Sequence, residues 1–273
     1  MDFIEIIKVL LWGIIEGITE WLPVSSTGHM LLFDEFIKLN LSDAFKEMFF
    51  VVIQLGAILA IVTLYFRKLN PFALSKTKAE RADTWQMWFK VIVACLPAAV
   101  IGLALNDFMD KFENWQVISA TLIIYGIAFI VIESANKNKS PRVTSISNMS
   151  YKTALLIGAF QVLSIIPGTS RSGATILGAI ILGCSREIAA EFSFFLAIPV
   201  MFGVSALKLV TNDYVMTGTE WLILGLAMVV AYVVSMIAVK FLTGFVKKHD
   251  FKVFGWYRIA LGILVIGYFL LAK

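Results

Sequence analysis

Cysteine and histidine are scarce in this 273-residue chain, at two residues each. Cys95 and Cys184 lie far apart, each in an apolar run. They read as small buried hydrophobes, not as a disulfide or a metal pair. Charge is also scarce, since Asp, Glu, Lys and Arg make up 15% of the residues. No polar stretch approaches the length of a folded domain, so a separate soluble domain is excluded. The net charge of +4 does not point to nucleic acid, because the basic residues gather in a few loops, as membrane orientation requires. What the chain has instead is apolar length. Hydrophobic residues make up 59% and the mean hydropathy is +0.86. The expected class is an all-α polytopic membrane protein, a single integral membrane domain over residues 1–273.

Six runs are long enough to cross a bilayer, which takes about 20 residues. They are Glu47–Phe66, Trp85–Leu105, Gln116–Ile132, Ile188–Val210, Glu220–Leu242 and Phe254–Leu271. Pro97 is placed to kink the second. The loops at 67–84, 133–152 and 243–255 are rich in Lys and Arg and should be cytoplasmic. Those at 106–115 and 211–219 lack that excess and should face outside. The 106–115 loop is mostly acidic, with Asp107, Asp110 and Glu113 against Lys111.

Two further units are too short to span. Residues 3–41 run from an apolar helix through Glu16, Glu20 and Pro23 to Ser25-Ser26-Thr27-Gly28-His29, then through a dozen apolar residues. Thr153–Gly183 repeats the plan around Pro167–Thr175, read PGTSRSGAT. Both predict re-entrant hairpins with polar tips, the first entering from outside and the second from the cytoplasm. The halves match in order: Pro23-Val-Ser-Ser26 parallels Pro167-Gly-Thr-Ser170, about 144 residues on, and Glu47 parallels Glu191. This predicts an inverted-topology repeat, about 1–133 and 134–273, with the two tips meeting near the midplane.

The tips carry complementary chemistry. Glu16 and Glu20 share one helix face. Two bare carboxylates at membrane depth need a cation, whether a proton, Arg171 or a metal. Paired carboxylates with phosphate oxygens suit Mg²⁺ or Ca²⁺. Ser26 with His29 has the form of a nucleophile and its partner. Attack by His29 itself, or by water, fits the same residues, and Ser25 is the weaker serine. An arginine at membrane depth marks a functional site. Arg171 can grip phosphate oxygens in a planar fork, with hydroxyls from Ser170, Ser172 and Thr175. Gly173 permits close backbone approach, and a helix starting near Ser172 offers its N–H groups. Together these groups fit phosphoryl transfer. A transporter or lipid flippase is the competing class, because broken helices in inverted repeats are transporter architecture.

EGITEWLPVSSTGH and PGTSRSGAT resemble the two signature motifs of the undecaprenyl-diphosphatase family, the bacitracin-resistance type of bacterial membrane phosphatase. EFSFFLAIPVMFG is similar too. The resemblance covers essentially the whole chain. It implies removal of the terminal phosphate from the C55 polyprenyl diphosphate, giving the monophosphate carrier for cell-wall synthesis. It also implies a bacterial plasma-membrane protein with its site facing outward, a divalent cation, and a homodimer as one available assembly. The family's acids carry over to Glu16 and Glu20, its Ser and His to Ser26 and His29, and its arginine motif to Ser170, Arg171, Ser172 and Thr175. Ser25, Thr27 and Gly173 join the substrate-binding set.

Overall fold

A computed structural model describes residues 3–39, 41–211 and 214–271, with the side chains of Leu103, Asn106, Asp107 and Asp110 left out. The two acids expected in the 106–115 loop, Asp107 and Asp110, are therefore outside the side-chain description. Among the described residues the chain is helical, and its only β pairing is an isolated bridge between Val143 and Cys184. Six helical segments are long and apolar enough to cross a membrane: Asp43–Leu64, Lys78–Gly102, Trp115–Asn136, Arg186–Thr211, Gly218–Phe245 and Lys252–Leu271. These correspond to the six runs read from the sequence, each starting one to seven residues earlier, and the first two ending two and three residues sooner than expected.

In chain order the helices are α1 (Phe3–Thr19), α2 (Ser26–Phe36), α3 (Asp43–Val52), α4 (Gln54–Leu64), α5 (Phe66–Leu69), α6 (Lys78–Met109), α7 (Trp115–Asn136), α8 (Tyr151–Val162), α9 (Arg171–Ile181), α10 (Arg186–Thr211), α11 (Gly218–Phe245) and α12 (Lys252–Leu271). The first span is broken at Ile53 into α3 and α4, although it contains no proline. By contrast α6 runs unbroken through Pro97, and α10 through Pro199.

Packing exchanges partners between the halves. α1 lies on α11, and α8 lies on α6. α4 also packs on α11, while α10 packs on α6 and α4. α7 and α12 pair with each other. These contacts are close because glycines stand where the helices meet. A Cβ at Gly13 or Gly17 would meet α11 backbone oxygens at 2.9 Å, and one at Gly158 would meet Ala94 O of α6 at 2.0 Å. At the α7–α12 crossing, a Cβ on either Gly126 or Gly255 would meet the other's carbonyl oxygen at 2.7 Å. Close backbone approach through small residues drives helix association where lipid removes the hydrophobic incentive.

Two ion pairs show how the matching spans lie. Glu47, in α3 at the start of one span, holds Lys208 near the end of α10 at 3.0 Å. Glu191, near the start of α10, holds Lys68 just beyond the end of α4 at 2.5 Å. Each span thus begins beside the end of the other, so the two run antiparallel. A third pair, Arg186 to the buried Glu133 at 2.6 Å, ties α10 to α7, and Glu133 also accepts from the Phe251 N–H at 3.1 Å.

Candidate active site

α1 ends at Thr19 and α8 gives way to a 3₁₀ turn, Leu163–Ile165, because Pro23 and Pro167 follow and cannot continue a helix. The chain then restarts as α2 and α9. Both restarts are built alike. Ser25 caps α2 and accepts from Gly28 N, and Ser170 caps α9 and accepts from Gly173 N. Both serines have φ of 73°, the only non-glycine residues with positive φ among those described. Such backbone costs about 1–3 kcal/mol and persists only where surrounding contacts hold it. The structural match is therefore Ser25 with Ser170, one residue off the register read from the sequence, which set Ser26 against Ser170. The prolines mislead there. The second turn carries an extra residue, and Gly168 absorbs it at φ of 84°.

The restarts converge. Arg171, the first residue of α9, donates from Nη2 to Glu20 Oε1 at 3.0 Å. Ser26, the first residue of α2, donates to Glu20 Oε2 at 3.4 Å. One buried carboxylate is thus held from both helix starts. Arg171 is anchored from behind by Nη1 to the Ser193 carbonyl oxygen at 2.8 Å, and it lies 5.8 Å from the Trp21 ring. Its Nε–H is buried without a partner. Glu16 is fully buried, and neither of its carboxylate oxygens has a hydrogen-bond partner. With Arg171 engaged by Glu20, Glu16 needs a proton or another cation, because an isolated buried carboxylate is far too costly.

The remaining residues singled out in the sequence brace this arrangement. Ser172 donates to the carbonyl oxygens of Glu20 at 3.2 Å and Leu22 at 3.3 Å, stitching the second turn to the first. Thr175 donates to Arg171 O at 2.9 Å and pairs with the Ser193 hydroxyl at 2.7 Å. Ser170 Oγ lies 3.1 Å from Ser172 Oγ. Gly173 gives its N–H to the Ser170 cap at 3.1 Å. Thr27 stands at the second position of α2, half-buried.

His29 is engaged on both ring nitrogens. Nδ1 lies 2.7 Å from the Ser25 carbonyl oxygen, which can only accept. Nδ1 therefore carries the proton, and Nε2 accepts from the Tyr257 hydroxyl at 2.6 Å. Among the described residues no hydrogen bond joins His29 to Ser26. The neighbour that Ser26 touches is Glu20.

For a metal, no group of three His, Cys, Asp or Glu side chains comes together among the described residues. Two carboxylates with unused oxygen lone pairs do. They match the hard-oxygen preference of Mg²⁺ or Ca²⁺, which commonly complete their shells with water and substrate phosphate.

A family model described as "Bacitracin resistance protein BacA" matches residues 9–264. The chain belongs to the BacA family. Its relatives include the undecaprenyl-diphosphatase of Desulfitobacterium hafniense, 60% identical over 271 residues, covering 98% of each chain. That of Enterococcus faecalis is 59% identical and covers 99% of each. That of Acetivibrio thermocellus is 57% identical, covering 99% of this chain and all of the relative. Both turns of the site lie inside the BacA match. So do residues that the sequence reading passed over. Ser193 on α10 positions Arg171, Tyr257 on α12 holds His29, and Arg258 beside it is fully buried. Arg258 had the same signal as Arg171, a lone arginine in an apolar run. Tyr257 had none, because tyrosine is ordinary in spans, and Ser193 stood unremarked inside EFSFFLAIPVMFG.

Proposed function

We propose that this chain hydrolyses undecaprenyl diphosphate, releasing the terminal phosphate and leaving the lipid monophosphate. The relatives named above carry that activity in their names over nearly the full length. The observation that supports it in this chain is the meeting of Arg171 and Ser26 on Glu20, from two helix starts. Early N–H groups of each helix lack carbonyl partners by helix geometry and favour anions. A phosphate arriving there meets the Arg171 guanidinium, including its unpartnered Nε–H, and the starts of α2 and α9.

In the proposed chemistry Ser26 Oγ attacks the terminal phosphorus and gives its proton to Glu20. The new bond is Oγ–P, and the bond that breaks joins the terminal phosphorus to the bridging oxygen. That oxygen departs with the lipid monophosphate. Water then cleaves the phosphoserine and restores the hydroxyl, leaving inorganic phosphate. Ser26 is favoured over His29 as nucleophile because His29 Nε2 already accepts from Tyr257. Glu16 and Glu20 would hold a divalent cation, which supplies charge neutralisation to the phosphate oxygens when bound.

The proposal extends to the setting. We read α1–α2 and α8–α9 as two re-entrant hairpins in an inverted-topology repeat, six spans in all. The exchanged packing and the two antiparallel ion pairs support this reading. The basic loops support the orientation of the spans, and a site reached from the outer face of the bacterial plasma membrane rests on the family. A role in cell-wall carrier recycling and bacitracin resistance, and a homodimer, rest on the family. The transport alternative draws no support from the relatives quoted, which are named as phosphatases.

The deciding experiment is phosphate release from undecaprenyl diphosphate by purified protein in detergent, with no membrane gradient. Release with added Mg²⁺ or Ca²⁺ is expected, and its suppression by chelator would support the carboxylate pair as a metal site. Absence of release under all cation conditions would overturn the hydrolase reading.

A further inference from the structure

Arg258 sits in α12, fully buried in an otherwise apolar helix. A buried guanidinium is costly unless its donors are well used. This one gives Nη1 to Pro23 O at 3.3 Å, and Nη2 to Gly168 O at 2.9 Å and Thr169 O at 3.0 Å, while its Nε–H is buried without a partner. Pro23 belongs to the first turn, and Gly168 and Thr169 to the second. No other side chain among the described residues has recorded hydrogen bonds to carbonyls of both turns. Nη1 also stands 3.3 Å from where a Cβ on Gly173 would lie, so the guanidinium is packed against the first turn of α9. The face of the Tyr125 ring lies 5.4 Å from Arg258 Cζ and covers the charge on α7's side.

These contacts set the direction of the turns. The carbonyls of Glu20, Leu22 and Pro23, and those of Pro167, Gly168 and Thr169, all accept bonds from side chains: Ser172, Arg258 and Thr121. With the carbonyl edges tied, the turns are fixed as they lead into the starts of α2 and α9, where Ser26 and Arg171 stand. Ser172 and Thr121 each bind carbonyls of one turn, whereas Arg258 binds both at once. It bridges two segments about 145 residues apart in sequence, with no recorded hydrogen bond to Ser26, Glu20 or Arg171.

We propose that Arg258 is a positioning residue for phosphoryl transfer, locking the Pro23 and Pro167–Thr169 turns in mutual register so that Ser26 and Arg171 address one phosphate. This rests on the phosphatase reading. The interaction is geometrical, and three carbonyl acceptors spread over two turns suit a planar fork better than a point ammonium. A misplacement of about 1 Å between catalytic groups costs on the order of 100-fold in rate. Arg258 should therefore act on kcat, while KM, set by the lipid tail and by Arg171, stays near its normal value.

The test is steady-state phosphate release by purified wild type, Arg258→Met and Arg258→Lys, each shown to be monodisperse and helical in detergent. Activity of the wild type establishes the phosphatase reading independently of the variants. Arg258→Met is expected to lower kcat by about 100-fold, with KM changed by less than about threefold. Arg258→Lys keeps the charge but can serve fewer carbonyls, and should lower kcat by about 10-fold. If Arg258→Met does not fold, Arg258→Lys carries the decision. A folded variant with wild-type kcat, even with a lowered melting temperature, would reduce Arg258 to a structural part and overturn the proposal. A rise in KM at unchanged kcat would overturn it as well, by showing direct contact with substrate.

Discussion

Glu20 is the residue on which the site turns. It faces a guanidinium at one oxygen and a hydroxyl at the other, while Glu16, a helical turn earlier, has no partner. Their neighbourhoods predict different behaviour on substitution. Replacing Glu16 by Gln keeps the shape and removes the group whose charge needs a proton or a cation. Glu16→Gln should leave the apparent melting temperature near that of wild type while lowering phosphate release by about 100-fold. Thermal unfolding and turnover on the same preparation check both arms. Ser26→Ala should abolish turnover, and residual activity within about tenfold of wild type, the scale of losing a mere binding contact, would instead assign the attack to water. The residue types of this site were legible in the sequence, because acids and arginines at membrane depth are rare enough to be informative. Their roles were less legible. Ser172 and Thr175 read as phosphate donors, yet in the structure Ser172 bonds to the first turn and Thr175 pairs with Ser193 of α10, and His29 read as the partner of Ser26 but is held by Tyr257. A contact between residues more than 200 positions apart leaves no local pattern.

At the scale of elements, length decided most of what could be read. Six runs of about 20 apolar residues became six spanning segments, and the two short units became α1–α2 and α8–α9. Helix starts were harder. α9 begins at Arg171, one residue before the start read near Ser172, but α2 begins at Ser26, inside a stretch that read as a polar tip, because capping by Ser25 depends on a positive φ that composition does not announce. The break at Ile53 was likewise invisible. Helix crossings depend on glycine at chosen positions. At Gly158 a Cβ would sit 2.0 Å from the Ala94 carbonyl oxygen, which only backbone separation can relieve. Gly158→Val should therefore push α8 from α6 and destabilise by about 1–3 kcal/mol or more. Gly244→Val, at a glycine with open space around it, should have little effect. Melting temperatures of the two variants in one detergent make the comparison.

For the whole molecule, the proposed orientation rests on charge. The loops after α5, α7 and α11 carry the Lys and Arg residues that favour the cytoplasmic side. Exposed positions Ser75 and Val215 stand on opposite sides in that arrangement. In a variant lacking Cys95 and Cys184, Val215→Cys should react with a membrane-impermeant thiol reagent on intact cells. Ser75→Cys should react only after the membrane is opened. The reverse pattern would invert the molecule and place the site's approach on the cytoplasmic face.

The paired ion bridges, Glu47 with Lys208 and Lys68 with Glu191, have a consequence for how the chain is put together. Every partner sits across the divide from its counterion, and so do Ser26 and Arg171, which meet on Glu20. Neither half is a smaller working version of the whole. Their association should not need covalent continuity through the exposed stretch around Lys139. Two polypeptides made separately, 1–139 and 140–273, should recognise each other in the bilayer, co-purify, and regain phosphate release, while each one alone should be inert.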